Sequence, residues 1–262
     1  MKIEFTPDTV ALVTGASKGI GYACAEQLIA CGAKVAVVAR SADELQLARD
    51  ELAGNGGTVE AFSADLSDPA QAAELVTRVE ADMGPIGVLV SSAGAAKRFT
   101  IDELGAEGLQ QGMQAKYFPG VLIIDPVIKQ MARRGAGSIV NIIGQGGRRA
   151  SPLHIAGGAA NSALMLATVG YARAYAGRGI RANGINPGST KTGRVASGLQ
   201  TESRATGKSP EVLLKEKEES IPMGRMGEPE EVARVAAFLV SDLASYVSGA
   251  IIPMDGGVAS VI

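Results

Sequence analysis

Short apolar runs alternate along the chain with longer stretches in which apolar residues recur at helical spacing. Val10-Ala-Leu-Val-Thr14 reads as a buried strand, and residues 19–32 read as a helix closed by glycine. Residues 34–39 form the next strand pattern. Ser41-Ala-Asp-Glu44 follows as a capping box and opens a helix that ends near Gly54. A third strand is expected at 58–62, and Asp68-Pro69 starts a helix that stops at Gly84-Pro85. Further strands are expected at 88–91, 138–143, 180–185 and 250–254, with helical patterns at about 106–134 and 157–177 between them. Strands apolar on both faces, alternating with helices, predict an α/β domain: a parallel sheet covered by helices on each side. No repeat or linker divides the chain. Residues 194–222 depart from the pattern, being polar, rich in Ser, Thr, Lys and Glu, and without a strand. Such a segment is either a substrate lid or a variable surface excursion.

Charge narrows the partners. The 262 residues carry 25 Lys and Arg against 27 Asp and Glu, a formal charge of -2, so the electrostatic footprint of a nucleic-acid binder is missing. No apolar run approaches the ~20 residues that span a bilayer, and the chain starts without a basic-then-apolar leader. Cys24 and Cys31 fall in one predicted helix, which argues against a disulfide framework and suits a cytoplasmic protein. With one histidine in the sequence, a multi-His metal site is excluded and no metal is expected.

The first chemical signal lies where strand one turns into helix one. In Thr14-Gly-Ala-Ser-Lys-Gly-Ile-Gly21, glycines at 15, 19 and 21 let backbone pass close to a pyrophosphate, and the helix N-terminus supplies free N–H groups. Strand two ends Val38-Ala-Arg-Ser41, without the acid that usually holds the ribose hydroxyls of NAD. Arg40 and Lys18 instead offer cations for a 2′-phosphate, which favours NADP(H) over NAD(H).

These motifs, with others farther along, resemble a classical short-chain dehydrogenase/reductase, of the 3-oxoacyl-[acyl-carrier-protein] reductase kind, over nearly the whole chain. Asp65-Leu66 is similar to the family's adenine-contacting Asp. Ser91-Ser-Ala-Gly94 stands where the family has Asn-Asn-Ala-Gly, and Asn186-Pro-Gly-Ser-Thr-Lys-Thr192 resembles the segment that reaches the nicotinamide amide. Residues 221–232 and Met254-Asp-Gly-Gly257 match its C-terminal signature. The resemblance implies a single Rossmann-like, doubly wound domain. It also implies cofactor contacts at Gly15, Ser17, Lys18, Gly19, Ile20, Gly21, Arg40, Asp65, Leu66, Ser92, Ala93, Gly94, Asn161, Pro187, Gly188, Thr190 and Thr192.

The catalytic positions depart from the family. Its Tyr protonates the forming alkoxide, a Lys four residues on lowers the Tyr pKa, a Ser orients the carbonyl and an Asn completes a proton relay. Ungapped alignment puts these positions on Gly157, Asn161, Gly144 and Lys116. Tyr171 lies ten residues beyond Asn161, roughly 15 Å along a helix, too far to substitute. His154, about one turn before Gly157, is the candidate proton donor, with Lys116 tuning it and Asn161 bonding the ribose. The alternatives are a capping His and a Lys that only neutralises phosphate. Ser91 and Ser92 orient a substrate or merely form a turn. Arg148-Arg149 at the pocket rim reads as solvated charge.

The expected activity is NADP(H)-dependent oxidoreduction of a carbonyl, alcohol or enone, on a small-molecule or acyl-thioester substrate, with a non-standard acid/base set. The alternatives are a catalytically silent NADP(H)-binding sensor and a non-redox lyase or isomerase. The helices at 106–134 and 157–177 resemble the family's interface helices. Ala159, Ala163, Ala167 and Gly170 offer a small-residue face, so a homodimer or homotetramer is expected.

Overall fold

The computed structural model describes residues 2–54 and 56–259. Seven parallel strands form one sheet in the order β3-β2-β1-β4-β5-β6-β7. In chain order the elements are β1 (Val10–Thr14), α1 (Gly19–Ala30), β2 (Lys34–Ala39), α2 (Ala42–Gly54), β3 (Val59–Ser63), α3 (Pro69–Met83) and β4 (Ile86–Ser91). There follow α4 (Ala106–Gly112), α5 (Phe118–Arg134), β5 (Gly137–Ile142), α6 (Ile155–Tyr175), β6 (Ile180–Pro187), α7 (Arg194–Thr206), α8 (Pro210–Glu219), α9 (Pro229–Val240) and β7 (Ile251–Met254). The doubly wound architecture expected from the pattern is present.

Strand periodicity explains the two cores. In β1, Ala11 and Val13 point to one face and join α1, α2 and α9 through Leu28, Leu45 and Val232. Val10 and Leu12 point to the other and join α3, α5 and α6 through Val76, Ile124 and Ala172. Both faces are dry, which is why the strands read as continuous apolar runs.

Two local features differ from the sequence expectation. The long helical pattern at 106–134 is broken by a π-helical turn over Met113–Tyr117, joining α4 to α5. Residues 194–222, read as irregular, are mostly helical. Leu199 and Leu213 are the buried anchors of α7 and α8, and Ser209 caps α8 through its hydroxyl. The polar composition of the segment, with one buried leucine per helix, hid a helical period that is well marked in α7.

Candidate active site

Chain order along the sheet reverses between β1 and β4, and the crevice that opens there is the usual ligand position in doubly wound folds. Thr14 Oγ1 accepts from the Ser92 and Ala93 N–H groups, both at 3.0 Å, and so locks the end of β1 to the loop after β4. Gly15 holds φ +67°, and a β-carbon on it would press on Ala93 backbone at 3.0 Å. A β-carbon on Gly21 would overlap the Gly15 carbonyl. The cradle therefore needs glycine for space as well as for conformation. At the start of α1, Lys18 gives no side-chain cap, so the leading N–H groups stay free for an anion.

The crevice continues along both edges. Asp65 Oδ1 accepts from Ser67 N at 3.0 Å and Ser67 Oγ at 2.7 Å, contacts that lower its pKa and keep it charged. Leu66 is buried beneath it. Across the crevice, a β-carbon on Gly19 would stand 3.3 Å from Thr192 Cγ2, so the segment after β6 faces the glycine loop. Gly188 N donates to Met254 O at 2.9 Å, and Thr190 bridges to Gly227. Buried oxygens without partners, Ser91 Oγ and Asn161 Oδ1, belong to the same end of the sheet. A glycine cradle, a free helix N-terminus, a fixed carboxylate and unspent acceptors fit a nicotinamide dinucleotide.

At the expected 2′-phosphate position the two cations differ. Lys18 Nζ pairs with the Glu44 carboxylate at 3.0 Å, so it is not the free cation the sequence suggested. Glu44 sits there because it is the fourth residue of the capping box. Arg40 is exposed, and its carbonyl accepts from Ser63 Oγ at 2.9 Å.

The end of the crevice where the family's catalytic residues were expected is assembled from glycines and three polar side chains. Gly144 carries φ +131°, a conformation that any side chain would strain. The turn after it folds onto α6, where Ser162 Oγ donates to Gly147 O at 2.7 Å. The His154 ring is caught between two glycines. A β-carbon on Gly146 would lie 2.9 Å from His154 Cδ2, and one on Gly157 would overlap Cε1. The imidazole thus fills the space above Gly157. It stands at the N-cap position of α6 but makes no side-chain cap bond, and its Nδ1 is buried and unpartnered.

Lys116 reaches the site from the π-helical turn. The turn is pinned by Ala95 N, which donates to Ala115 O at 3.0 Å. Gly112 packs on Ala156 so closely that a β-carbon would meet it at 2.7 Å. The extra residue in the turn re-aims the chain and sends the lysine inward. Only 5% exposed, Lys116 donates from Nζ to Ile142 O at 2.9 Å. Burial, reinforced by the Arg194 charge, pushes its pKa down to about 7. His154 is pushed down to about 4 by burial, then by Arg98, Arg194 and Lys116.

The structure therefore brings His154, Lys116, Asn161, Gly144 and Gly157 to one end of the crevice. Tyr171 packs against the core on the far part of α6. Arg148 and Arg149 are exposed. Sequence reasoning missed Arg98 and Arg194. Neither stands in a motif, and only the fold sets the loop after β4 against α7.

A family model described as enoyl-(acyl carrier protein) reductase matches residues 15–259. A cis-4-hydroxycyclohexanecarboxylate dehydrogenase of Sinomonas cyclohexanicum is 35% identical, over 98% of this chain and 99% of its own. An NADPH-bound short-chain oxidoreductase of Pseudomonas aeruginosa PAO1, described as containing an atypical catalytic center, superposes with TM-score 0.89 at 29% identity, over 99% of this chain and all of its own. An NAD+-bound xylitol dehydrogenase superposes with TM-score 0.91 at 26% identity, over 98% of this chain and all of its own. With its sheet, glycine cradle and near full-length matches, the chain belongs to the classical short-chain dehydrogenase/reductase family of oxidoreductases.

Proposed function

We propose that this protein is an NADP(H)-dependent reductase or dehydrogenase of a carbonyl/alcohol pair, in which Lys116 takes the proton-transfer role that the family gives to tyrosine. The observation that carries the reading is a buried lysine whose ammonium has one protein acceptor, Ile142 O, at the end of the cofactor crevice. An acid works best when its pKa lies near the working pH, and Lys116 meets that condition. His154 meets it less well. With a pKa of about 4, roughly one ring in a thousand is protonated at neutral pH. The neutral ring instead shapes the pocket above Gly157 and presents an N–H or a lone pair to substrate oxygen. Asn161, with Oδ1 free, suits a ribose hydroxyl.

When bound, the dinucleotide supplies or accepts the hydride. Reduction then needs one proton at the carbonyl oxygen, held at Lys116 Nζ; oxidation returns it to the neutral amine. That a Pseudomonas aeruginosa relative is described as having an atypical catalytic center supports a family member working without the usual residues.

The test is NADPH consumption, followed at the nicotinamide absorbance band, with ketones, acyl thioesters and enones, after calorimetry has established binding. Tight NADPH binding with every carbonyl inert would replace this reading with the sensor. Preference for NADP(H) rests on Arg40, which is exposed beside the end of β3 and within electrostatic reach of Asp65. Arg40→Ala is expected to weaken NADPH binding about tenfold, the scale of one charge-assisted phosphate contact, and to leave NADH affinity within twofold. Equal losses for both dinucleotides would place Arg40 elsewhere.

Assembly follows from α6. Ala159 and Gly170 are exposed, and Leu166 and Val169 beside them stand 76% and 39% exposed. A face this apolar suits a second copy, as a homodimer or homotetramer. Leu166→Glu is expected to halve or quarter the mass seen by light scattering; a wild-type monomer would refute the assembly. The helical pair α7–α8 is proposed as the substrate lid, since Thr192 and Arg194 connect it to the crevice.

A further inference from the structure

The loop after β4 and the first turns of α7 exchange arginines. Arg194 Nη2 donates to Gly94 O at 2.7 Å. Arg98 lies alongside Gly198, its Nε 3.5 Å and its Cζ 3.9 Å from where a β-carbon of that glycine would stand. Gly94 and Arg98 are four residues apart in the loop; Arg194 and Gly198 are four apart on α7 and share a helix face. Each arginine therefore meets a glycine of the opposite element, and the missing side chain leaves it room. Phe99 N donates to Leu153 O at 3.3 Å, tying this loop to the segment that carries His154. Beneath the loop lies Lys116, whose Cα and Cδ would stand 3.1 and 3.4 Å from a β-carbon on Gly94. Both guanidinium groups lie close enough to act electrostatically on the imidazole, and Arg194 acts on the buried amine as well.

Among the described residues no carboxylate pairs with either Arg98 or Arg194, and the nearby acids are engaged elsewhere. Glu103 faces Arg204 at 3.7 Å, and Glu202 faces Lys217 at 3.4 Å. Lys97, set over the Phe99 ring at 5.2 Å, adds a positive charge that acts on Glu103 as well. Like charges gathered at a pocket mouth raise the free energy of the empty site, and an incoming anion relieves it. Guanidinium forks suit a planar carboxylate better than a diffuse dipole.

We propose that Arg98 and Arg194 form an anion subsite that holds the carboxylate of an oxo- or hydroxy-acid substrate, with its reacting carbonyl directed toward Lys116 and His154. The subsite rests on the oxidoreductase reading above and names its substrate class. The same guanidinium chemistry would suit a cofactor phosphate, so the experiment separates the two sources.

The probes are levulinate and 4-oxo-4-phenylbutyrate, each against its own methyl ester, titrated by calorimetry into the NADPH-loaded protein and assayed in parallel for NADPH consumption. The carboxylates are expected to bind at least tenfold more tightly than their esters. That preference should shrink toward unity in Arg98→Met/Arg194→Met, and partly in Arg98→Gln alone, with NADPH affinity within twofold of wild type. Esters that bind as well as the acids, or a preference that survives the double substitution, would overturn the subsite. A tenfold loss of NADPH affinity in Arg194→Met without loss of the preference would assign that guanidinium to the cofactor and overturn its role here. Turnover of esters alone would end the subsite and leave the oxidoreductase reading standing. Carboxylate binding without any turnover would do the reverse.

Discussion

Lys116→Met is expected to lower kcat for carbonyl reduction by about 10²- to 10⁴-fold, the range for losing a general acid, and to make the folded protein more stable. The opposite signs follow from one fact. Lys116 is 5% exposed and bonded through Nζ to Ile142 O, without a carboxylate, so its charged form is costly in the fold. Methionine keeps much of the volume and removes that cost. Its folded pKa of about 7 lies below the free value of 10.5, so between those values the unfolded chain binds a proton that the folded chain releases. Wild-type stability therefore rises as pH climbs from about 7 to about 10.5, and below 7 the full penalty persists. In the Met variant that slope disappears. At neutral pH the gain is expected to be roughly 2–4 kcal/mol, since each pKa unit corresponds to about 1.4 kcal/mol and Ile142 O loses its donor. Urea melts at pH 7 and pH 9 measure the slope. The pH–rate profile measures the chemistry: reduction should fall above pH 7, where the ammonium is lost, and oxidation should rise through the same range. His154→Gln is the comparison, expected to lose less than tenfold in kcat. If it loses a hundredfold while Lys116→Met stays active, the imidazole is the proton carrier, as the sequence first suggested.

The glycine cradle expected to hold the cofactor was legible because its geometry is local. Gly15, Gly19 and Gly21 lie within seven residues at a strand-to-helix turn, and the clash of a Gly21 β-carbon with the Gly15 carbonyl is a consequence of that short path. Asp65 and Thr192 follow strand ends that the hydrophobic pattern locates. The end of the crevice where the family's catalytic residues were expected was legible as a vacancy only: Gly144 and Gly157 could be placed, but what fills the space above them depends on contacts between distant segments. The His154 ring rests on Gly146 as well as Gly157, and no periodicity links those three positions. Nor does a helical pattern reveal the π-helical turn that aims Lys116, because a one-residue slip of phase confined to a single turn is too short to stand out from the ordinary scatter of apolar positions. The Lys18–Glu44 pair was hidden for a related reason. The capping box that predicted α2 also placed an acid within 3.0 Å of the lysine expected to be free. Arg98 and Arg194 belong to no motif, and only the packing of a loop against α7 makes them neighbours.

Gly157→Ala should destabilise the protein by about 1–3 kcal/mol, the usual cost of forcing a methyl group into filled space, although the substitution lies inside a helix. Helix propensity alone argues the other way, since alanine is favoured over glycine by up to about 1 kcal/mol in a helix interior. The clash decides the sign. The new methyl would overlap His154 Cε1, and the ring has no easy retreat, because Gly146 closes on its Cδ2 edge and the 144–147 turn is pinned to Ser162. Removing the ring should reverse the effect: in a His154→Ala background the same Gly157→Ala change should stabilise the fold by up to about 1 kcal/mol. The difference between the two backgrounds is a coupling energy of about 1–4 kcal/mol, the scale of residues in direct contact. Thermal or urea melts of the four proteins measure it, and additivity within 0.5 kcal/mol, the margin for independent sites, would show that the imidazole does not occupy the space above Gly157. The same geometry governs a tyrosine at 157. Gly157→Tyr should fold poorly while His154 remains, and fold once His154→Ala makes room. Joined with Asn161→Lys, that background should acquire reductase activity that survives Lys116→Met. Such activity would mean that ring and lysine together replaced a phenol, and that the exchange can be run backwards.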